Sequence, residues 1–84
     1  MNGKRIGKVS HYFNRINVAA ITLTAPIKIG DRIHFLGRGS DFVQDITSME
    51  IDHKKIEKAS KSQEIALKTI KPVKKGTSVF VIIE

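Results

Sequence analysis

The sequence predicts a small all-β domain, and three observations support that fold class. Turn signals such as Gly30-Asp31 and Lys75-Gly76 each come directly before a short run of apolar, strand-forming residues. The expected strands recur at intervals of about 8–12 residues, which is typical of a β-sandwich or β-barrel. The 84 residues include no cysteine, so apolar packing and a well-paired sheet must stabilise a modest core. We therefore expect one domain over residues 1–84.

The first half of the chain predicts three strands. Residues 5–13 and 18–24 form the first two, joined by a hairpin connection at 14–17. Gly7 inside the first strand predicts a β-bulge. Pro26 ends the second strand, because proline cannot donate to a sheet ladder. A third strand is expected at about 31–37, after the Gly30-Asp31 turn.

The second half predicts a longer fourth strand at residues 42–52. Ile46 and Met49 are three positions apart, so a bulge near Thr47-Ser48 is needed to turn both inward. Residues 53–59 are expected to form one helical turn or a loop, since they have too few apolar positions for a stable helix. A fifth strand begins at 65–67. The last strand, at 79–83, is apolar on both faces, so it is either fully covered or exposed at a contact.

The aromatic residues divide into a predicted core and candidate contacts. Phe13, Phe35 and Phe80 are expected in the core, whereas Phe42 follows a glycine loop and is either buried or exposed. Tyr12 lies between His11 and Phe13, with Arg15 close behind. It either packs on the rim of the domain or serves as a stacking platform of the kind used by single-strand nucleic-acid binders.

The formal net charge of +7 indicates an anionic partner, most often nucleic acid. Residues 1–30 carry five basic side chains and no acid, and residues 54–75 carry eight lysines. The N-terminus is polar and the longest apolar run is far shorter than the roughly 18 residues of a membrane span. We therefore expect a cytoplasmic protein that does not contact membranes.

The residues needed for catalysis are not found in a recognisable pattern. The chain has no phosphate-binding loop of the GTPase type, and its three histidines, His11, His34 and His53, lack the spacing of metal ligands. The close acid pairs Asp41/Asp45 and Glu50/Asp52 are expected at solvated strand ends rather than in a substrate cleft. The sequence therefore predicts a protein that is not an enzyme and has no cofactor or metal.

Four segments, in order, resemble a known family of β-barrels. Residues 30–37 (Gly-Asp-Arg-Ile-His-Phe-Leu-Gly) and 47–54 (Thr-Ser-Met-Glu-Ile-Asp-His-Lys) are similar to segments of domain 2 of translational GTPases such as elongation factor Tu. Residues 56–67 and 73–79 resemble its later strands. The pattern at 48–54 is closer still to free-standing elongation-factor-like small proteins and to the C-terminal barrel of collagenase-like peptidases. The resemblance covers about residues 5–83.

The resemblance implies a single closed six-stranded antiparallel β-barrel at about residues 5–83. In the GTPases this domain contacts the acceptor end of aminoacyl-tRNA or the ribosome. Glu50 falls on the family's strand glutamate near the terminal nucleotide, and His53 falls on the arginine three positions later. With the basic side chains and Tyr12, these residues make up the predicted nucleic-acid-binding set: Lys4, Arg5, Lys8, Tyr12, Arg15, Arg38, Glu50, His53, Lys54 and Lys55.

Two functions follow from the sequence. The first is a non-catalytic barrel that binds RNA, either tRNA or rRNA, in a translation-related role. The alternative is a protein-protein interaction module that docks on a larger enzyme, such as a collagenase-like peptidase or an RNA-modifying partner. The two-sided apolar strand at 79–83 favours this alternative, because exposed apolar patches mark interfaces.

Overall fold

Ten β-strands make up the regular structure of residues 3–83, which are the part of the chain that the computed structural model describes. Every strand pairing is antiparallel. This confirms the all-β class, and no helix of the described part is long and apolar enough to cross a membrane. The strands are β1 (Gly3–Phe13), β2 (Val18–Leu23), β3 (Ile27–Lys28), β4 (Arg32–Gly37), β5 (Ser40–Asp45), β6 (Met49–Ile51), β7 (Lys54–Ile56), β8 (Lys58–Ala59), β9 (Glu64–Lys68) and β10 (Ser78–Ile82).

The main sheet is open rather than a closed six-stranded barrel. Its eight strands run in the order β5-β4-β10-β1-β2-β9-β6-β7, while β3 and β8 form a separate two-stranded ribbon. Over residues 3–83 no ladder joins the end strands β5 and β7. At the β5 end, the Gln44 side chain makes the hydrogen bonds to the backbone that a neighbouring strand would make. Gln44 Nε2 donates to the Lys68 carbonyl at 2.8 Å, and the Ile70 amide donates to Gln44 Oε1 at 2.9 Å.

The expected fourth strand at 42–52 is two strands, and the expected helical turn or loop at 53–59 is two more. β5 ends because Ile46 leaves the β4–β5 ladder and bonds to the Gly30-Asp31 turn. The Ile46 amide donates to the Asp31 backbone carbonyl at 2.8 Å, and the Gly30 amide donates to the Ile46 carbonyl at 2.9 Å. Ile46 and Met49 are both buried, as predicted. The chain then reverses between β6 and β7 at Asp52-His53, whose positive φ angles of 52° and 64° form a two-residue hairpin turn.

Strand β1 contains two register shifts. Each shift changes which face of the sheet the following side chains point to. The first lies between Arg5 and Gly7 against β10, which confirms the irregularity predicted at this glycine. A Cβ on Gly7 would lie 2.3 Å from the Thr22 carbonyl oxygen, so only glycine permits this approach of β1 to β2. The second shift lies between Val9 and His11 against β2.

The core lies on one face of the main sheet and includes Phe35 stacked on Phe42 with ring centroids 5.0 Å apart. Phe42 is therefore a core residue. Two other expectations were wrong: Phe13 is 44% exposed, and Phe80 is half-buried on the outer face. The second register shift explains Phe13, because with Val9 facing the core it sends His11 and Phe13 outward.

Candidate functional site

The outer face of β10 and its two neighbours carries an apolar patch. Phe80 lies opposite His34 of β4, and Ser78 lies opposite Leu36. Residues directly opposite in an antiparallel pair point to the same side of a sheet. Of these side chains, His34, Leu36 and Phe80 line a cleft of about 310 Å³. We call this surface the apolar face and define it by five residues: Gly3, His34, Leu36, Phe80 and Ile82.

Phe80 is held in position by its neighbours on both sides. A Cβ on Gly3 would lie 3.2 Å from Phe80 Cβ, so glycine leaves room for the aromatic side chain against β1. On the other side, the His34 ring centroid is 6.4 Å from that of Phe80. His34 Nε2 is also 2.6 Å from Asp41 Oδ1 on β5. The central aromatic residue of the apolar face therefore has a close neighbour on each adjoining strand.

Opposite charges border the two sides of the apolar face. On β1, Arg5 lies opposite Phe80 and Lys8 lies opposite Ser78, so this border is cationic. On β5, Asp41 lies opposite Leu36 and Asp45 lies opposite Arg32, with Arg32 Nε 3.0 Å from Asp45 Oδ1. The surface thus changes from basic through apolar to acidic across four strands.

A group of four cations lines a pocket of about 590 Å³ near the start of β10. Lys8 of β1 and Arg38 of the β4–β5 turn meet there with Lys74 and Lys75. Gly76 forms part of the wall, and a Cβ there would lie 3.1 Å from Arg38 Nε. We call this the basic pocket. The sequence predicted Lys8 and Arg38 as binding residues but missed Lys74 and Lys75, which the turn before β10 brings beside them.

Of the ten predicted nucleic-acid-binding residues, Lys8 and Arg38 are brought together at the basic pocket. Tyr12 packs against the core and donates its hydroxyl proton to Asn17 Oδ1 at 3.2 Å, so its ring is not a free platform. Glu50 lies opposite Lys55 in the β6–β7 hairpin. The remaining residues are spread over β1, the β1–β2 connection and the β6–β7 hairpin: Lys4, Arg5, Arg15, His53 and Lys54.

The residues considered for catalysis are also separated. His11 is on β1 with its ring 4.5 Å from that of Phe13, His34 contacts Asp41, and His53 is in a turn. Over residues 3–83, no group of three or more histidines, aspartates and glutamates could hold a metal ion. Glu50 and Asp52 do not form a pair on one strand, since Asp52 is in the turn after β6.

Sequence reasoning found one strand of the apolar face but missed how the face is assembled. The two-sided apolar character of residues 79–83 identified β10. Leu36 and His34 were missed because their position beside β10 depends on the pairing of β4 with β10, which are about 40 residues apart in the chain. A polar-apolar alternation within β4 is the signal that could have revealed its outer side.

The chain is thus a small all-β domain with an open main sheet and an apolar outer face between borders of opposite charge. It superposes on two crystal structures of the C-terminal domain of a putative U32 peptidase from Geobacillus thermoleovorans. The selenomethionine variant gives a TM-score of 0.86 at 20% identity, covering 90% of this chain and 96% of that one. The other gives 0.87 at 18% identity, covering 93% and 91%. At these identities, the likeness shows that the fold is shared.

The sequence is also similar to that of a curated protein. An uncharacterized protease of Methanocaldococcus jannaschii is 34% identical over 80 residues, which are 94% of this chain and 20% of that protein. The chain thus spans about a fifth of the length of the curated relative that it matches. No family model matches the chain. These findings support the resemblance to the C-terminal domain of collagenase-like peptidases, but not the resemblance to elongation factor Tu.

Proposed function

We propose that this chain is a non-catalytic protein-interaction module that works in the cytoplasm with a larger peptidase-family protein. The observation that carries the proposal is the sequence match, in which nearly all of this chain corresponds to a fifth of an uncharacterized protease. The shared fold supports it, because the two similar crystal structures are of the C-terminal domain of a putative U32 peptidase. The apolar face is the surface proposed to bind the larger protein.

The arrangement of apolar and charged residues on the apolar face indicates which groups the partner's surface should carry. Leu36 is 41% exposed, and it lies beside the half-buried Phe80 and Ile82 on an otherwise charged surface. Interfaces of this kind combine an apolar centre with a polar rim. Since the β1 border is basic and the β5 border is acidic, we expect acidic groups on the partner opposite Arg5 and Lys8, and basic groups opposite Asp41.

The test measures binding to purified peptidase-family proteins from the same organism, each prepared without its own domain of this type. Isothermal titration calorimetry compares the unaltered chain with Leu36→Lys. The new lysine lies opposite Asp41, so the fold can accommodate it as a cross-strand ion pair. Burying its ammonium at an apolar contact is unfavourable, and we expect at least about tenfold weaker binding, or roughly 1.4 kcal/mol.

The matched control is Ile16→Lys, which adds the same charge at a residue that is 57% exposed in the β1–β2 connection, away from the apolar face. We expect it to bind like the unaltered chain. Equal binding by Leu36→Lys, or no binding to any of the peptidase-family proteins, would contradict the proposal.

RNA binding is the second candidate function, and one observation favours it. The exposed Phe13 ring lies 4.5 Å from the His11 ring, edge to face, with Arg15 two residues further along. Exposed rings beside cations suit base stacking. If the chain binds tRNA this way, Phe13→Ala weakens binding in a filter assay while Tyr12→Phe does not. The logarithm of the affinity then falls by about 0.7 per contacted phosphate for each tenfold rise in salt. No tRNA binding at about 50 mM salt excludes this candidate.

A further inference from the structure

The basic pocket has the features of an anion site. Lys8, Arg38, Lys74 and Lys75 line one pocket, and no carboxylate is among its lining residues within the described chain. We propose that the pocket binds a ligand carrying several phosphate groups. The pocket shares Lys8 with the basic border of the apolar face, but this inference does not depend on the proposed peptidase partner.

Positive charge is in excess at the basic pocket of the free protein. One carboxylate, that of Glu64, reaches the lining by accepting a hydrogen bond from Ser10 Oγ at 2.7 Å, against four cations. Among residues 3–83, the ion pairs are Lys28 with Asp31, Arg32 with Asp45 and His34 with Asp41. None of them includes a cation of the basic pocket. Like charges brought together repel one another, and an anion placed between them replaces this repulsion with attraction. The benefit of binding is therefore largest where unpaired cations are most concentrated.

Other clefts of similar size differ from this pocket in their charge. The cleft of about 710 Å³ beside Asp31 also contains Asp45 and Arg32, which pair with each other. The cleft of about 780 Å³ beside Lys28 and Lys55 includes Glu57. Both therefore hold their own carboxylates. The basic pocket is the one of these three whose lining is cationic without an acid.

Backbone hydrogen bonds fix the pocket before a ligand arrives. The Thr77 amide and hydroxyl both donate to the Lys74 carbonyl, at 3.1 Å and 2.7 Å, which closes the turn that carries the two lysines. The Gly76 amide donates to the Val9 carbonyl at 2.8 Å, and the Val9 amide donates to the Thr77 carbonyl at 2.8 Å. The turn is thereby held against β1. A fixed arrangement reduces the ordering that a ligand must impose.

Arg38 is positioned by an uncommon backbone conformation. It occupies the left-handed region with φ 52°, followed by Gly39 at φ 85°, in the two-residue turn between β4 and β5. A non-glycine residue in this region is unfavourable relative to glycine. The turn directs the guanidinium onto Gly76, whose missing side chain provides the space. Because a guanidinium binds phosphate oxygens through two parallel hydrogen bonds, Arg38 supplies geometry as well as charge.

The lining also indicates the class of ligand. The pocket volume of about 590 Å³ lies in the range of roughly 300–1,000 Å³ that is usual for ligand sites. It exceeds what a single phosphate needs. No aromatic ring lines the pocket within the described residues, so it offers no platform for a base. Recognition therefore depends on phosphate charge, which either a small polyphosphate or a nucleic-acid backbone could supply.

The experiment uses the whole chain and titrates it with tripolyphosphate, followed by calorimetry and by the backbone amide NMR signals. We expect the largest shifts at Arg38, Lys75 and Gly76. The double variant Lys74→Gln/Lys75→Gln should bind at least tenfold more weakly. The control Lys54→Gln/Lys55→Gln removes the same charge from the β6–β7 hairpin and should bind within about twofold of the unaltered chain, an effect expected from net charge alone.

A parallel titration with a 12-residue oligouridylate distinguishes the two sources of phosphate. Pocket-dependent binding of tripolyphosphate alone identifies a small polyphosphate site, and pocket-dependent binding of both ligands identifies a site that also accepts a polymer backbone. Arg38→Lys retains the charge, so weaker binding by this variant shows the contribution of the guanidinium. Equal losses in the two lysine double variants, or amide shifts spread evenly over the basic residues, would overturn the proposal, as would an absence of binding by both ligands.

Discussion

Two buried threonines differ in how their hydroxyl groups are satisfied. Thr77 is fully buried and donates to the Lys74 carbonyl at 2.7 Å. Thr69 is also buried, but its Oγ1 has no hydrogen-bond partner within the described residues. A buried polar group without a partner costs about 1–3 kcal/mol, whereas a satisfied one stabilises the fold modestly. The same substitution should therefore have opposite effects at the two sites.

We predict that Thr69→Val raises the free energy of unfolding by about 1 kcal/mol and that Thr77→Val lowers it by about 1–2 kcal/mol. Valine is β-branched like threonine and has nearly the same shape, so the substitution mainly removes the hydroxyl group. Urea denaturation, followed by circular dichroism, measures both changes. A loss of stability in Thr69→Val comparable to that in Thr77→Val would show that the Thr69 hydroxyl has a partner.

The burial of individual aromatic residues was only partly predictable from the sequence. Phe35 follows the alternation of β4 and is fully buried, as expected. The prediction for Phe13 is wrong because β1 has one extra residue at the second register shift. Beyond that residue, the alternate positions that would have faced the core point outward. The sequence around Ser10 does not indicate this bulge. The hydrogen bonds of Ser10 Oγ are made to distant residues, to the Ala20 carbonyl at 3.2 Å and to Glu64 Oε2 at 2.7 Å.

At the scale of elements, the turns that contain glycine were predicted, whereas the Asp52-His53 turn, which contains none, was missed. Gly30, Gly39 and Gly76 all have positive φ and lie in turns that the sequence identified. Asp52 and His53 adopt the same left-handed region between β6 and β7, although neither is a glycine. The hairpin therefore forms because β6 also pairs with β9 and buries Met49, which compensates for unfavourable local chemistry.

This local cost predicts that His53→Gly stabilises the protein. The β6–β7 connection is a two-residue turn with both central residues at φ > 0, for which Asp-Gly is a preferred sequence. Replacing His53 removes the Cβ strain of the left-handed conformation, and we expect a gain of about 0.5–1 kcal/mol in thermal or urea unfolding. His11→Gly is the control in β1, where glycine should be destabilising by a similar amount. Unchanged or lower stability in His53→Gly would contradict this account of the turn.

At the scale of the whole molecule, the all-β fold class was predictable from the sequence, but whether the sheet closes into a barrel was not. Alternation and turns identify strands locally, but sheet order depends on pairs such as β1 with β10, which lie at opposite ends of the chain. The candidate surfaces have the same origin: the apolar face needs β4 beside β10, and the basic pocket needs the β4–β5 turn beside the turn at residues 74–77. The sequence therefore predicted groups of residues that are close along the chain, but not groups that only long-range strand pairing brings together.

The net charge of the folded molecule yields a prediction about salt. The formal charge is +7, and four of the cations are concentrated at the basic pocket. Folding brings these charges closer together than they are in the expanded unfolded chain, so self-repulsion destabilises the folded state. Added salt screens that repulsion, because the Debye length falls from about 30 Å at 0.01 M to about 10 Å at 0.1 M. We therefore expect the Tm to rise by several degrees between about 0.01 M and 0.2 M sodium chloride.

Differential scanning calorimetry on Lys74→Gln/Lys75→Gln separates this cause from a general effect of salt on apolar burial. The variant removes two charges from the basic pocket while leaving the core unchanged, so its Tm at low salt should exceed that of the unaltered chain and should rise less as salt is added. Lys54→Gln/Lys55→Gln removes the same charge in the β6–β7 hairpin, where Glu50 already lies opposite Lys55, and should give a smaller gain. An identical rise for all three proteins would mean that salt acts on apolar burial rather than on the repulsion at the pocket.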